Sequence, residues 1–104
     1  MKILEENRTN IYMKFKALTN EIDETKSLSN KVKELVKLSA CTTQGSMFGV
    51  SIHVRQALKA GASEDEIIDT IICCLPVCGI SYTNQALESA KGTLLTIQRT
   101  ERNN

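Results

Sequence analysis

Apolar side chains recur every three or four residues along almost the whole chain, which is the spacing of one face of an α-helix. The clearest run lies between Ile67 and Leu75, where isoleucines follow one another at helical steps. No stretch alternates between apolar and polar residues as a half-buried β-strand does. Glycine and proline, which interrupt helices, occur only five times and once. The pattern therefore predicts an all-α fold.

Interruptions in the pattern divide the chain into about five predicted helices. The first carries its stripe between Leu4 and Ile22, and a polar link over residues 23–28 follows it. Ser29 is the predicted N-cap of the second helix, which Gln44-Gly45 ends. The stripe of this second helix is expected to consist of Val32, Leu35, Val36 and Ser39.

The third predicted helix begins near Ser46 and ends at Gly61, a residue that favours a left-handed C-terminal conformation. Residues 63–66 read Ser-Glu-Asp-Glu, a capping box that starts the isoleucine-rich fourth helix. Pro76 and Gly79 separate this helix from the last one, which is expected to extend from Ile80 to about Arg99. The core stripes of the third and fifth helices are predicted to be Met47, Val50, Val54, Ala57 and Leu58, and Thr83, Leu87, Ala90, Leu94 and Ile97.

Length and charge limit the classes of function. The 104 residues form a single predicted domain, residues 1–104, and the 13 basic residues nearly balance the 12 acidic ones. The chain lacks a basic stripe interleaved with aromatics, so we expect no nucleic-acid partner. Its apolar stretches are too short to cross a bilayer, and it begins without the pattern of a secretory signal. These features predict a cytoplasmic protein that does not enter a membrane.

The four cysteines are Cys41, Cys73, Cys74 and Cys78. Three of them crowd into one apolar segment, and a disulfide between the adjacent Cys73 and Cys74 would be strained. Reduced cysteines that pack as small hydrophobes are therefore the favoured interpretation. The C-x3-C spacing of Cys74 and Cys78 matches neither a thioredoxin-type motif nor a metal frame, so no metal site is predicted.

Four positions form a candidate catalytic frame: Glu34, Ser46, Gly49 and His53. On a helix that begins near Ser46, positions 46, 49 and 53 share one face, so the His53 side chain is expected on the same side of the helix as Gly49 and Ser46. If the second and third helices form a hairpin, Glu34 can face His53. A carboxylate beside an imidazole fixes its tautomer, which suits proton transfer. A lone histidine in a helix is more often a structural or surface residue, and that alternative stays open.

The frame resembles the alkylhydroperoxidase D-like and carboxymuconolactone decarboxylase superfamily, whose motif reads E-x11-C-x2-C-x3-H. Residues 28–38 and 53–63, with sequences LSNKVKELVKL and HVRQALKAGAS, are also similar to family segments, and the resemblance is strongest over residues 25–95. In the peroxidase branch the two cysteines cycle between dithiol and disulfide. Here Ser46 and Gly49 replace them, so that cycle cannot run at this pair. Cys41 or Cys78 could approach the His53 pocket and supply sulfur instead.

The decarboxylase branch lacks the cysteine pair, and residues 52–58, with sequence IHVRQAL, are very similar to its histidine segment. The resemblance implies decarboxylation of a small lactone acid without metal or organic cofactor. In that interpretation His53 and Glu34 are catalytic, and Arg55 or a lysine holds a carboxylate. A solvated Arg55 is the competing interpretation, because it lies two residues from His53 on a different helix face. Further pocket candidates are Ser46, Gly49, Cys41 and Cys78.

Several apolar stripes are broad for a domain this small, so we expect a homo-oligomer. The resemblance implies a trimer or hexamer. Three functions are kept open at this point. The first is cofactor-free acid–base catalysis on a small organic acid or lactone, which is ranked slightly ahead of the third function below, with the second ranked last on mechanism. The second is peroxiredoxin-type thiol chemistry through non-standard cysteines, and the third is a non-catalytic oligomer or small-molecule-binding protein.

Overall fold

The computed structural model describes residues 1–103, and its regular elements are all helices. The all-α prediction is confirmed. The described chain has seven helices in this order: α1 (Lys2–Asn7), α2 (Thr9–Asp23), α3 (Asn30–Thr43), α4 (Met47–Lys59), α5 (Glu64–Ile72), α6 (Leu75–Cys78) and α7 (Ile80–Asn103).

The predicted caps begin the helices where the sequence indicates. The Ser29 hydroxyl accepts the amide proton of Val32 at 3.1 Å and starts α3. At α5 the Ser63 hydroxyl accepts from the Glu66 amide at 3.0 Å, and the Glu66 carboxylate accepts from the Ser63 amide at 2.9 Å. That backbone hydrogen bond, together with the ammonium of Lys31, holds the pKa of Glu66 below its usual value. The capping box is therefore confirmed.

Two helices differ from the predicted division. The first predicted helix is broken at Arg8, whose backbone is non-helical at φ −146° and ψ 71°. Asn7, Thr9 and Asn10 surround the break, and such residues favour hydrogen bonds to nearby backbone over helix continuation. Pro76 lies in the first turn of the short helix α6, where its missing N–H removes no helical hydrogen bond. It is therefore part of a helix and not only of a connection.

Helices α3, α4, α5 and α7 enclose the core. Val50, Val54 and Ala57 on α4 are fully buried, which confirms the predicted stripe of that helix. Met47 and Leu58 pack against the same core at its edge. The other members of the core are Leu38, Ala62, Ile67, Ile71, Ala86, Ala90 and Leu94.

The predicted core stripe of α3 is wrong. Leu38 and Thr42 are fully buried, whereas Val32 and Val36 are exposed and Leu35 is only half-buried. Thr42 tolerates burial because its hydroxyl donates to the Leu38 carbonyl at 2.9 Å. Helix α3 is therefore rotated so that the face carrying Glu34, Leu38 and Cys41 meets α4.

Lys33 is buried although it is charged. Its ammonium donates to the backbone carbonyl of Asp23 at 2.9 Å and to that of Thr25. These bonds replace water around the charge and fasten the end of α2 to α3. Among the described residues, no helix is both long enough and apolar enough to cross a membrane.

Candidate functional site

Helices α3 and α4 form the predicted hairpin, and it brings Glu34 to His53. The Nδ1 atom of His53 lies 2.8 Å from Oε2 of Glu34. The side chains are 23% and 17% exposed, so the pair lies at the edge of the core and remains reachable from solvent. Gly45 allows the tight turn between the helices, because its φ of +72° is a left-handed conformation that side chains disfavour.

Glu34 uses its second oxygen on Lys37. The Lys37 ammonium lies 3.4 Å from Glu34 Oε1 and 3.3 Å from Asp23 Oδ1. Burial acts to lower the pKa of Lys37, but the charge of Glu34 and the hydrogen bonds to both carboxylates outweigh it, so the net pKa is raised. This gain in stability is present below the unfolded-state pKa and disappears as pH rises through the folded one. At neutral pH the Lys37 ammonium therefore pairs with Glu34 Oε1 and leaves Oε2 for His53.

The network assigns the proton on the imidazole. An ionised Glu34 can only accept, so the neutral His53 ring donates from Nδ1 to Oε2 and keeps its lone pair on Nε2. Nε2 is then the atom that can take a proton from a bound molecule and return it. The arrangement suits general acid–base chemistry.

A polar groove of ≈ 500 Å³ adjoins this pair on the side of Glu34. It is open to solvent, and Glu34 is one of its lining residues, whereas His53 is not. Its walls come from the end of α2, the start of α3 and the end of α4. The lining residues are Asp23, Glu24, Asn30, Lys33, Glu34, Gln56, Lys59 and Ala60.

The two positions that replace the family cysteines lie beside Cys41. A Cβ atom placed on Gly49 would lie 2.6 Å from the Cys41 sulfur and 3.1 Å from the Ser46 hydroxyl oxygen. The Cys41 thiol thus fills the space that a side chain at position 49 would need. Burial raises the pKa of this thiol, which disfavours the reactive thiolate at neutral pH.

We expect Gly49→Ala to destabilise the wild-type chain, because the new methyl group would overlap the Cys41 sulfur. In a Cys41→Ala background the same change should stabilise by about 0.5–1 kcal/mol, the usual gain for alanine over glycine inside a helix. The two changes should therefore be coupled by roughly 1–3 kcal/mol. Urea unfolding of the four chains in this cycle measures the coupling.

Gly92 on α7 provides the matched control for this cycle, since a Cβ atom there meets nothing within 4 Å. Gly92→Ala should stabilise both backgrounds equally. Additive effects of Gly49→Ala and Cys41→Ala would show that the thiol does not occupy the space at position 49.

The remaining predicted site residues lie elsewhere. Cys78 lies beside α7, where its sulfur is 3.5 Å from the Thr83 hydroxyl oxygen. Arg55 is exposed and lines a second groove of ≈ 490 Å³ together with Leu94 and Glu101 of α7. That groove is lined by neither Glu34 nor His53. Of the pocket candidates, the structure therefore groups Cys41, Ser46 and Gly49, whereas Arg55 lines a different groove and Cys78 contacts Thr83.

Sequence reasoning missed two residues at the site. Lys37 is three residues from Glu34 on the same helix, so the spacing of an ion pair was present in the sequence. Tyr82 of α7 covers the α3–α4 turn, and its ring would lie 2.9 Å from a Cβ atom on Gly45. No local sequence pattern predicts a contact between Gly45 and Tyr82, because they are far apart in the chain.

Comparisons with known proteins agree with this architecture. The family model described as the carboxymuconolactone decarboxylase family matches residues 10–92, which include α3, α4, the Glu34–His53 pair and most of α7. Neither the curated proteins nor the solved structures gave a match. Since the matched region covers most of the 104 residues, the chain belongs to the carboxymuconolactone decarboxylase family.

Proposed function

We propose that this protein is a cofactor-free acid–base enzyme that acts on a small organic acid or lactone. The observation that carries the proposal is the 2.8 Å contact between His53 Nδ1 and Glu34 Oε2, with Lys37 on the other carboxylate oxygen. In decarboxylation the carbon that loses carbon dioxide gains an electron pair and must receive a proton. His53 Nε2 is the proton donor at that step, after it has taken the proton from solvent or substrate.

The proposed substrate lies across the Glu34–His53 pair: its carboxylate enters the groove beside Glu34, where Lys59 is the proposed ligand, and its reacting carbon lies at His53 Nε2. Lys59 lines this groove, whereas the Lys33 ammonium is already engaged by two carbonyls. An ammonium is a flexible point charge that can reach a carboxylate without fixed geometry. Gln56 and Asn30 add neutral hydrogen-bonding groups to the same walls. The polar walls therefore favour a small, polar molecule over an apolar one, and because Asp23, Glu24 and Glu34 also line the groove, Lys59 is the proposed contact for its acidic group.

Thermal shift combined with a decarboxylation assay tests this proposal. The probes are carboxymuconolactone and simpler lactone acids with one carboxylate, and released carbon dioxide is the readout. A substrate should raise the melting temperature of the wild type and release carbon dioxide, and His53→Ala should abolish the release. A probe that stabilises wild type and His53→Ala equally, without turnover, would argue against catalysis at His53.

A second candidate function is thiol chemistry at Cys41. Its support is positional, because the Cys41 sulfur lies where the missing second cysteine of the frame would lie. The raised pKa of this thiol opposes it, since peroxide is attacked by thiolate. Attack would form cysteine sulfenic acid and release the alcohol or water of the peroxide, and a small-molecule thiol would then have to reduce the sulfur.

We expect the wild type to keep its four free thiols when one equivalent of peroxide is added at neutral pH. The positive control is a chain with Cys41→Ala, Ser46→Cys and Gly49→Cys, which rebuilds the cysteine pair and removes the sulfur that would overlap it. This variant should lose two thiols and two mass units as the disulfide forms. Intact mass and thiol titration report both reactions. Rapid oxidation of Cys41 in the wild type would favour the thiol function instead.

A further inference from the structure

Helix α2 carries an apolar stripe that the rest of the chain does not cover. Ile11, Phe15, Leu18 and Ile22 are 58%, 44%, 59% and 50% exposed, and every residue of α2 keeps part of its surface in solvent. Side chains of this size are normally buried, and a continuous row of four along one helix is a marker of an interaction surface.

The placement of α2 explains why the rest of the chain leaves its apolar stripe exposed. The described hydrogen bonds between α2 and α3 lie at the end of α2, where Lys33 and Lys37 bind Asp23. The radius of gyration is 15.0 Å, whereas a compact chain of about 100 residues has ~13 Å. Helix α2 therefore projects from the core that α3, α4, α5 and α7 enclose.

The spacing of the stripe indicates the shape of its partner. The residues follow at steps of four, three and four, which is the narrow a/d seam of a coiled coil and not the wider stripe of a helix on a globular core. A narrow seam fits one other helix with the same spacing. The stripe can also pair with an antiparallel copy of itself. In that pair, residue 11 of one helix lies opposite residue 22 of the other.

The charges beside the seam indicate its orientation. Lys14 and Glu21 immediately precede Phe15 and Ile22, so both flank the same edge of the stripe. When two such helices pair antiparallel with residue 15 near residue 18 of the other copy, these edges meet. Lys14 then faces Glu21 of the partner subunit, and the contact occurs twice by symmetry. A parallel pair would bring Lys14 near Thr19 of the partner subunit and lose both attractions.

We propose that α2 pairs antiparallel with α2 of a second copy of this chain, along the seam of Ile11, Phe15, Leu18 and Ile22. About half of each side chain is available for burial, which is on the order of 100 Å² for each residue. The four residues of both copies together bury about 800 Å², which is below the lower bound of standard specific interfaces, about 1,200 Å², and within the range of weak, transient contacts. The pairing should therefore be detectable as reversible association over a micromolar concentration series.

Sedimentation velocity of the full chain tests the seam. The wild type should associate, and Phe15→Glu should weaken association on the order of 100-fold, because a charge would replace an apolar side chain inside the seam. Met13→Glu is the matched control: Met13 is 59% exposed on the opposite face of α2, and its substitution should leave association unchanged. Urea unfolding at low protein concentration should show equal stability of the core in all three, since α2 is not part of it. A monomeric wild type, or an unchanged Phe15→Glu, overturns the proposal.

Charge exchange tests the orientation. Lys14→Glu and Glu21→Lys should each weaken self-association about tenfold, since each places like charges opposite one another twice. A mixture of these two variants should associate more tightly than either variant alone, because every flanking pair in the mixed dimer has opposite charges. Failure of the mixture to associate better than the separate variants overturns the antiparallel arrangement.

Discussion

Replacement of His53 by glutamine is expected to lower kcat for the proposed decarboxylation by about 10²–10⁴-fold, the usual contribution of a positioned acid–base group. Glutamine retains polarity and approximate size but cannot exchange a proton at neutral pH. The KM should change little, because the groove proposed to bind the substrate carboxylate is lined by Glu34 and Lys59 and not by His53. Steady-state measurement of carbon dioxide release on the substrate found by screening gives both constants.

Glu34→Gln should also reduce kcat, on the order of 10²-fold, but for a different reason. The carboxylate accepts the Nδ1 proton of His53 and keeps the lone pair on Nε2. A glutamine amide can instead donate to Nδ1, which favours the opposite tautomer and leaves Nε2 as a donor only. The imidazole would then lack its accepting atom on the substrate side. A kcat equal to that of the wild type would remove Glu34 from the mechanism.

The two grooves on α4 supply a matched pair of variants for substrate binding. Lys59→Met should raise KM about tenfold, because it removes the proposed partner of the substrate carboxylate from the Glu34 groove. Arg55→Met should leave KM and kcat unchanged, since Arg55 lines only the other groove, whereas Lys59 lines both, so the Arg55 variant decides between them. The reverse outcome would move the substrate site to the groove of ≈ 490 Å³ and away from Glu34 and His53.

Local signals in the sequence were sufficient to predict α3, α4, α5 and α7 and to indicate the Glu34–His53 contact, but not the break at Arg8 or the short helix α6. Capping at Ser29 and Ser63 depends on backbone amides three residues away, and the turn at Gly45 depends on one positive φ. Once those ends are known, α3 and α4 form a hairpin that brings residues 34 and 53 together. Both parts of the prediction rest on short separations along the chain.

Features that depend on tertiary packing could not be predicted in this way. Helix α3 carries apolar residues on two sides, so periodicity alone could not choose between Val36 and Leu38 for the core. Burial of Lys33 follows from two carbonyls near the end of α2, which no pattern in α3 reveals. The overlap between Cys41 and a side chain at Gly49 depends on how closely the two helix axes approach. Each of these outcomes is decided by packing.

Leu38→Ala is expected to lower the free energy of unfolding by about 2–5 kcal/mol. Leu38 is fully buried, with 0% of its surface accessible to water. It lies on the face of α3 that meets α4. Alanine would leave a cavity that rigid helices fill only in part. Urea unfolding followed by circular dichroism, with equal m-values for both chains, gives the difference.

Val36→Ala is the matched control on the same helix. Val36 is 54% exposed, so its truncation should change stability by less than about 0.5 kcal/mol at low protein concentration. Val36 also lines a shallow groove with Val32 and Cys73, and a second copy could cover it. A large loss for Val36→Ala that grows with protein concentration would therefore mean that this groove is buried in an assembly. A large loss that does not depend on concentration would mean that α3 is rotated in solution and that Val36, not Leu38, faces the core.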